Sequence, residues 1–156
     1  MRIAALVFTA VLVSAKASSA QLSVVVDGTD HPIAAAALTG MKRDTATMVF
    51  HGSAPIRYEG VPLSAVLRSA GVRSDSLRGP GLATRLVIEA TDGYRIVLAL
   101  SDLDPSLGGK RILLADRVDG KALPADEAPW RLIVVGDQRP ARSARQVVRI
   151  RVLKEQ

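Results

Sequence analysis

Three Asp-Gly pairs divide the sequence into short segments rich in Val, Leu and Ile: Asp27-Gly28, Asp92-Gly93 and Asp119-Gly120. Both residue types tolerate the positive φ angles of a tight turn. Such a pair after an apolar run therefore indicates a change of chain direction between strands. A fold made mainly of short strands and turns is expected.

The segments around these turns have the branched aliphatic composition of strands. Those at residues 85–90 and 94–100 flank Asp92-Gly93, so they should form an antiparallel hairpin. Residues 118–121 should form a turn after another strand. The predicted strands are residues 22–26, 45–50, 85–90, 94–100, 110–115, 131–135 and 146–153.

The last strand alternates with a period of two, which indicates one buried face and one basic face. We assign Ile150 and Val152 to the buried face together with Val148. The opposite face receives Val147, Arg149, Arg151 and Leu153.

Two helices are predicted. Residues 33–38 are alanine-rich, with Pro32 at the first turn and Gly40 beyond the end. Residues 61–71 carry apolar side chains at helical spacing, namely Leu63, Val66, Leu67 and Ala70. Residues 102–107 should form a short helical turn at most. Strands and helices do not alternate regularly, so we predict a mixed, β-rich α+β domain with a few short helices.

The first 20 residues have the pattern of a secretory signal peptide, because Arg2 precedes an apolar run and small residues follow it. We expect residues 1–20 to be removed and residues 21–156 to form a single domain. The mature protein should be periplasmic or secreted. No later segment is apolar enough over a sufficient length to cross a bilayer, so stable membrane insertion is not expected.

The sequence contains no cysteine and only two histidines, His31 and His51. This composition excludes thiolate zinc sites, iron-sulfur clusters and thiol catalysis, and we predict no metal site. Removal of residues 1–20 takes away two basic residues and no acid, which lowers the formal charge from +6 to +4. Residues 139–154 contain basic residues and no acid, a composition that attracts anions.

Several motifs follow one another in a recognisable order: YEGVPL at 58–63, DGY at 92–94, GKALP at 120–124, PWRLIVVG at 129–136 and ARSAR at 141–145. In this order they resemble the molybdopterin-binding domain of sulfite-oxidase-type oxidoreductases. The resemblance implies a sulfite-oxidase-like α+β fold that binds molybdopterin, a pterin dithiolene bearing a phosphate. It also implies a cysteine thiolate that completes the coordination of molybdenum.

The position that this resemblance assigns to the cysteine is Met48, twelve residues before Gly60. A thioether is neutral and replaces a thiolate poorly on a high-valent metal, so core packing is the favoured interpretation of Met48. Molybdopterin is therefore a candidate cofactor, whereas molybdenum is not expected to bind.

The resemblance assigns Arg142, Ser143 and Arg145 to the phosphate of the pterin, and guanidinium and hydroxyl donors suit any such anion. The alternative is a solvated basic loop before the last strand. His51 follows the Met48 strand, where the family has its metal pocket, although a loop histidine is more often solvated.

Arg131 lies in an apolar strand, where a buried charge needs a partner. We expect it to pair with Asp92 or Asp116, and the alternative is that it contacts the ligand. Tyr94 follows Gly93 in a predicted hairpin, so we interpret the DGY motif as a turn rather than as part of a pocket.

Two functions remain open. The first is an exported accessory module without catalytic activity that binds a phosphorylated pterin or another anion. The alternative is a genuine molybdopterin-dependent oxidoreductase whose metal is held by water, Ser53 or a partner protein, and which works with a redox partner in the envelope. Nucleic-acid binding is not expected, because the signal peptide and the scarcity of aromatic residues oppose it.

Overall fold

The computed structural model describes residues 21–50 and 52–154. Within these residues the chain forms ten strands, two short α-helices and three 3-10 helices. The helices are α1 (Ala35–Thr39) and α2 (Leu63–Ser69), and the 3-10 helices are Gly79–Ala83, Leu100–Leu103 and Pro140–Arg142. The strands are β1 (Leu22–Val26), β2 (Thr29–Ile33), β3 (Asp44–Met48), β4 (Ile56–Pro62), β5 (Arg85–Ala90), β6 (Arg95–Ala99), β7 (Ile112–Val118), β8 (Lys121–Ala122), β9 (Arg131–Val134) and β10 (Val147–Leu153).

The strands form two sheets. Sheet 1 has the order β2-β1-β10-β5-β6, and sheet 2 has the order β3-β4-β7-β8 with β9 paired to β7. In sheet 1, β1 and β10 run parallel while the other neighbours are antiparallel. The described elements therefore confirm the mixed, β-rich α+β class. The predicted signal peptide at residues 1–20 and the candidate His51 lie outside the described residues, and no helix among the described residues is long and apolar enough to span a membrane.

Each Asp-Gly pair joins two adjacent strands of one sheet: β1 to β2, β5 to β6, and β7 to β8. Asp27 and Gly28 have φ angles of 50° and 80°, and Asp119 and Gly120 have 47° and 76°. These positive values are those that a two-residue hairpin turn requires, so local turn chemistry accounts for these two turns. In the turn between β5 and β6, Gly93 has a positive φ of 84° and Asp92 does not.

Sheet 1 packs one face against α2 and against the inner side of sheet 2. The main cluster formed there includes Leu63, Val66 and Leu67 of α2 and the inward residues of β1, β5, β6 and β10. A second cluster lies on the other side of sheet 2 and consists of Ala46, Met48, Tyr58, Leu113, Ala115, Leu123 and Ile133. Strands β7 and β9 contribute alternate residues to both clusters, so both of their faces are buried.

Both helix predictions need correction at their starts. The helix predicted at 61–71 begins at Leu63, because Val61 and Pro62 are the last residues of β4, a strand that was not predicted. Gly60 belongs to this strand at a register shift, and a Cβ there would lie 2.1 Å from the carbonyl oxygen of Leu114. The helix predicted at 33–38 begins at Ala35, because Ile33 ends β2 and pairs with Leu22.

The prediction for the terminal strand was wrong at Val147. A register shift between Val147 and Arg149 turns Val147 into the main cluster instead of toward the arginines. From Arg149 to Val152 the predicted alternation is confirmed, with the two arginines exposed and the two aliphatic residues buried. The helical turn predicted at 102–107 begins earlier, as the 3-10 helix Leu100–Leu103.

Candidate anion-binding site

A cavity of about 340 Å³ opens between the β5–β6 turn and the segment that connects β9 to β10. It brings together three residues that the sequence singled out: Arg131, Ser143 and Arg145. Asp92 and Tyr94 also line it, with Pro140, Ala141 and Ala144. Arg142 is absent from this lining, so the structure separates it from its two neighbours in the ARSAR motif.

Arg145 is the most available cation of this cavity. Its side chain is 58% exposed, and its ion pair with Asp126, which is 68% exposed, has a distance of 3.2 Å from Nη1 to Oδ2. Exposed pairs of this kind contribute little energy, because water and salt screen them and two flexible side chains must be ordered. An anion in the cavity can therefore recruit Arg145 at small cost.

Ser143 is buried and fixed by the neighbouring strand. Its Oγ accepts a hydrogen bond from the Val134 backbone N–H at 3.1 Å. A serine hydroxyl that accepts one bond retains its own proton for donation. Ser143 can therefore stabilise β9 and still donate to a ligand in the cavity.

Arg142 is held by the carboxylate of Asp137, which lies in the same segment between β9 and β10. Its Nε and Nη2 donate to the two carboxylate oxygens of Asp137 at 2.7 and 2.5 Å, and Lys110 Nζ lies 3.0 Å from the same carboxylate. The hydrogen bond from Arg142 is the main cause that lowers the pKa of Asp137, and the same bond raises the pKa of Arg142. The guanidinium fork of Arg142 is thus already filled by an anion of the chain itself.

Arg131 pairs with Glu127, and the prediction that Asp92 or Asp116 would be its partner was wrong. Glu127 comes close because the chain turns tightly at residues 124–128, where the Glu127 N–H donates to the Pro124 carbonyl at 2.9 Å. Asp116 pairs with Arg43 instead. Only 8% of Arg131 is exposed, so it is a buried paired residue that also borders the cavity.

Two aromatic rings lie beneath Arg131. Its Cζ is 5.0 Å from the ring centroid of Phe50 and 5.0 Å from that of Tyr58, distances at which the ring quadrupoles attract a cation. The two rings meet edge to face at 6.4 Å, and burial raises the pKa of Tyr58. Arg131 therefore joins the cavity to the second cluster.

We interpreted Tyr94 only as a hairpin residue, and Asp92 as a hairpin residue or a partner of Arg131. Both residues hold the turn and also line the cavity. Asp92 Oδ1 accepts the Tyr94 N–H at 2.8 Å, and the Tyr94 hydroxyl donates to the Ala141 carbonyl at 2.7 Å. The second bond ties the hairpin to the ARSAR segment. The DGY motif was the sequence signal that could have placed these residues at the cavity. A tight hairpin turn already explained the motif, so the second role was not predicted.

Met48, at the position where the resemblance has the cysteine, packs in the second cluster with Tyr58 and Leu113 and is buried. Ser53 is engaged by its own turn, because its Oγ accepts the Phe50 N–H and donates to the Ala54 carbonyl, both at 3.2 Å. Within residues 21–50 and 52–154, no group of three or more His, Asp or Glu side chains could hold a metal ion. The donor set suits the phosphate of a pterin, through Arg145 and Ser143, and offers no thiolate for a molybdenum atom.

The comparisons with known proteins agree with the fold and with the resemblance seen in the sequence motifs. Residues 34–156 match the model of a family described as the oxidoreductase molybdopterin binding domain. The crystal structure of the sulfane dehydrogenase SoxCD from Paracoccus pantotrophus has a similar fold, with a TM-score of 0.67 and 20% sequence identity. That match covers 86% of this chain and 38% of the SoxCD chain, so this chain spans well under half of its structural neighbour. No curated protein matches the sequence.

Proposed function

Because the chain belongs to the family of oxidoreductase molybdopterin-binding domains, we propose that it is a non-catalytic member that binds a phosphorylated pterin or a similar anion. In this proposal the cavity beside Arg145 receives the phosphate, and the chain lacks the residue that completes the coordination of the metal. The protein would then act as a carrier or accessory module for a redox partner in the cell envelope. The signal-peptide pattern of residues 1–20 supports this location.

The single observation that carries the proposal is the state of Met48. Its side chain is 7% exposed and packs among apolar residues of the second cluster. A thioether cannot supply the negative charge that an anionic sulfur donates to a high-valent metal. The apolar packing of Met48 supports the proposal that this position serves the core and not a metal.

The anion-binding half of the proposal is supported by Arg145 and Ser143. One brings an exposed guanidinium whose present ion pair is weak, and the other brings a fixed hydroxyl. Arg142 is not required, because Asp137 already occupies its donors. The charge that attracts a phosphate should therefore depend mainly on Arg145.

Metal and pterin contents test the first half. The protein should be produced in cells that contain the complete machinery for molybdopterin synthesis, and its molybdenum measured by plasma mass spectrometry and its pterin by fluorescence after oxidation. We expect well under one molybdenum per chain. Near-stoichiometric molybdenum in the wild type would overturn the non-catalytic assignment in favour of an oxidoreductase with another metal ligand.

Two thiol variants sharpen that result. Met48→Cys introduces a thiolate at the family position, and Met41→Cys introduces one at the edge of the main cluster. Metal uptake by the first variant and not by the second would show that only the ligand has been lost. Equal uptake by both variants would show that any introduced thiol binds the metal and that position 48 is not a specific site.

Thermal unfolding in phosphate tests the second half. Phosphate at about a hundred times its dissociation constant should stabilise the fold by about 2.7 kcal/mol, with sodium chloride at equal ionic strength as the control for screening. Arg145→Ala should remove the increment, whereas Arg57→Ala, an exposed arginine on β4, should retain it. An unchanged response in Arg145→Ala would contradict the assignment of this cavity.

A further inference from the structure

The solvent face of sheet 1 carries a group of arginines that the candidate site does not use. Three neighbouring strands, β10, β5 and β6, contribute Arg149, Arg151, Arg85 and Arg95 to this face. Within these three strands, all of which the structure describes, Glu89 is the one carboxylate on the same face. We define these five residues, with Val87 and Val97 between them, as the arginine face.

The arrangement follows from the strand register. Arg149 lies opposite Glu89, which lies opposite Arg95, so one row across the sheet reads cation, anion, cation. In the next row Arg151 lies opposite Val87, which lies opposite Val97. Because side chains alternate between faces along a strand, both rows project away from the main cluster.

Glu89 does not neutralise this face. Its carboxylate lies 3.5 Å from Arg95, 3.7 Å from Arg149 and 3.6 Å from Arg151, all longer than ordinary charge-assisted hydrogen bonds. The three arginines are between 47% and 66% exposed, while Glu89 is covered beneath them. The surface that an approaching molecule meets is therefore cationic.

An apolar strip runs between the cations. Val97 is 56% exposed, and Val87 and Val25 beside Arg151 are partly buried. Asp30 lies beyond Val25, at the far edge of the sheet. Interfaces between proteins commonly combine arginine side chains with exposed aliphatic carbon. A nucleic acid or a lipid headgroup would bind through the arginines alone and would leave the valines without a partner.

We propose that the arginine face docks an acidic surface of a partner protein, in which carboxylates flank a small apolar patch. The carboxylates would pair with Arg149, Arg151 and Arg85 in place of water, and the patch would cover Val97. This docking surface is separate from the cavity beside Arg145 and does not depend on what that cavity binds.

A pair of cyclic hairpin peptides supplies a defined probe. One displays glutamate and valine side chains on a single face, and the other displays glutamate and serine with the same charge. Titration calorimetry with the full chain should give tighter binding for the valine peptide, and amide shifts in NMR spectra should map to β10, β5 and β6. Absence of binding, or shifts confined to the cavity beside Arg145, would overturn the proposal.

Matched variants separate local from general charge. Arg149→Gln with Arg151→Gln should weaken binding by about tenfold or more. Arg78→Gln with Arg117→Gln removes the same charge from exposed positions that form no ion pair within the described part of the chain, and should weaken it by less than about threefold. Equal losses in the two double variants would reduce the effect to net charge and refute the docking surface.

Two further variants test the arginine face without removing an ion-pair partner of Glu89, so that a loss of binding cannot result from a destabilised fold. Arg85 has no carboxylate partner among the described residues, so Arg85→Gln removes a cation of the face without leaving Glu89 unpaired, and it should also weaken binding. Val97→Ser should abolish the preference for the valine peptide. Binding of phosphatidylglycerol vesicles or duplex DNA that is as strong as peptide binding, and equally sensitive to the Arg149 and Arg151 changes, would show a polyanion site and overturn the protein partner.

Discussion

Two glutamates of this molecule, Glu127 and Glu89, differ in the number and the exposure of their arginine partners. Glu127 forms a single pair with Arg131, and both side chains are nearly buried. Glu89 lies beneath three arginines that are about half-exposed. Because the exclusion of water strengthens both the attraction and the penalty of an unpaired charge, the pair with one partner should matter more for stability than the group with three.

Arg131→Met is expected to have the largest effect, because it leaves the Glu127 carboxylate buried without a cation. Loss of one member of a buried pair costs about 3 to 5 kcal/mol of folding free energy, which urea unfolding would measure. The double variant Glu127→Gln with Arg131→Met should recover most of that loss. A double variant as unstable as the single one would show that packing of Arg131 on Phe50 and Tyr58, rather than charge, is decisive.

Asp137→Asn should have an intermediate effect, because Asp137 is nearly buried but its partners Arg142 and Lys110 are about one-third exposed. We expect a loss of about 2 kcal/mol near neutral pH, compared with less than about 0.5 kcal/mol for Asp126→Asn in the exposed pair with Arg145. A loss as small as that of Asp126→Asn would show that the ion pairs of Asp137 with Arg142 and Lys110 contribute no more to stability than an exposed pair.

The effect of Asp137→Asn should also depend on pH with a defined sign. The folded pKa of Asp137 is lowered by the hydrogen bond from Arg142, so its stabilising contribution is present above the unfolded value of about 4 and is lost as the pH falls through the folded pKa. The difference in unfolding free energy between wild type and variant should therefore shrink below about pH 4. A constant difference down to acid pH would contradict the ionic origin of the effect.

Glu89→Gln should have a smaller effect than Arg131→Met or Asp137→Asn, below about 1 kcal/mol, because its arginines are screened by water and lie at long distances. Salt at about 1 M should remove most of the difference between wild type and variant. An effect equal to that of Arg131→Met would mean that the arginine face is held together by Glu89 and would erase the contrast between the two regions.

The features that could be predicted from the sequence are those with a local cause. The turn at Asp119-Gly120 follows from two residues with positive φ angles, and the hairpin around Asp92-Gly93 from a positive φ at Gly93. The terminal strand follows from its alternation. The mixed α+β class followed from the irregular succession of strands and helices, and the observed strands and the similarity to SoxCD confirm it. The family followed from the order of motifs, and the match over residues 34–156 confirms it.

The features that escaped prediction depend on residues distant in sequence. β4 mixes charged, aromatic and glycine residues and becomes a strand because β3 and β7 pair with it on both sides. The shift that turns Val147 inward appears only when β10 is aligned with β5. The partner of Arg131 was missed although Glu127 is only four residues away. The tight turn at residues 124–128, which brings Glu127 close to Arg131, was not predicted.

The candidate site was predictable in part. Arg131, Ser143 and Arg145 were named from the sequence and line one cavity. Arg142 was grouped with them because it is adjacent in sequence, but the 3-10 helix Pro140–Arg142 directs it toward Asp137. The acid five residues before Arg142 was the signal that could have separated it.

Strand β7 has a consequence for how the molecule comes apart. It gives Ile112 and Leu114 to the main cluster and Leu113 and Ala115 to the second, and it pairs with both β4 and β9. Opening either cluster removes one wall of the other, so neither can open alone without exposing apolar surface on both sides. The amides of β7 should accordingly exchange with solvent only through global opening, and the two clusters form a single cooperative unit.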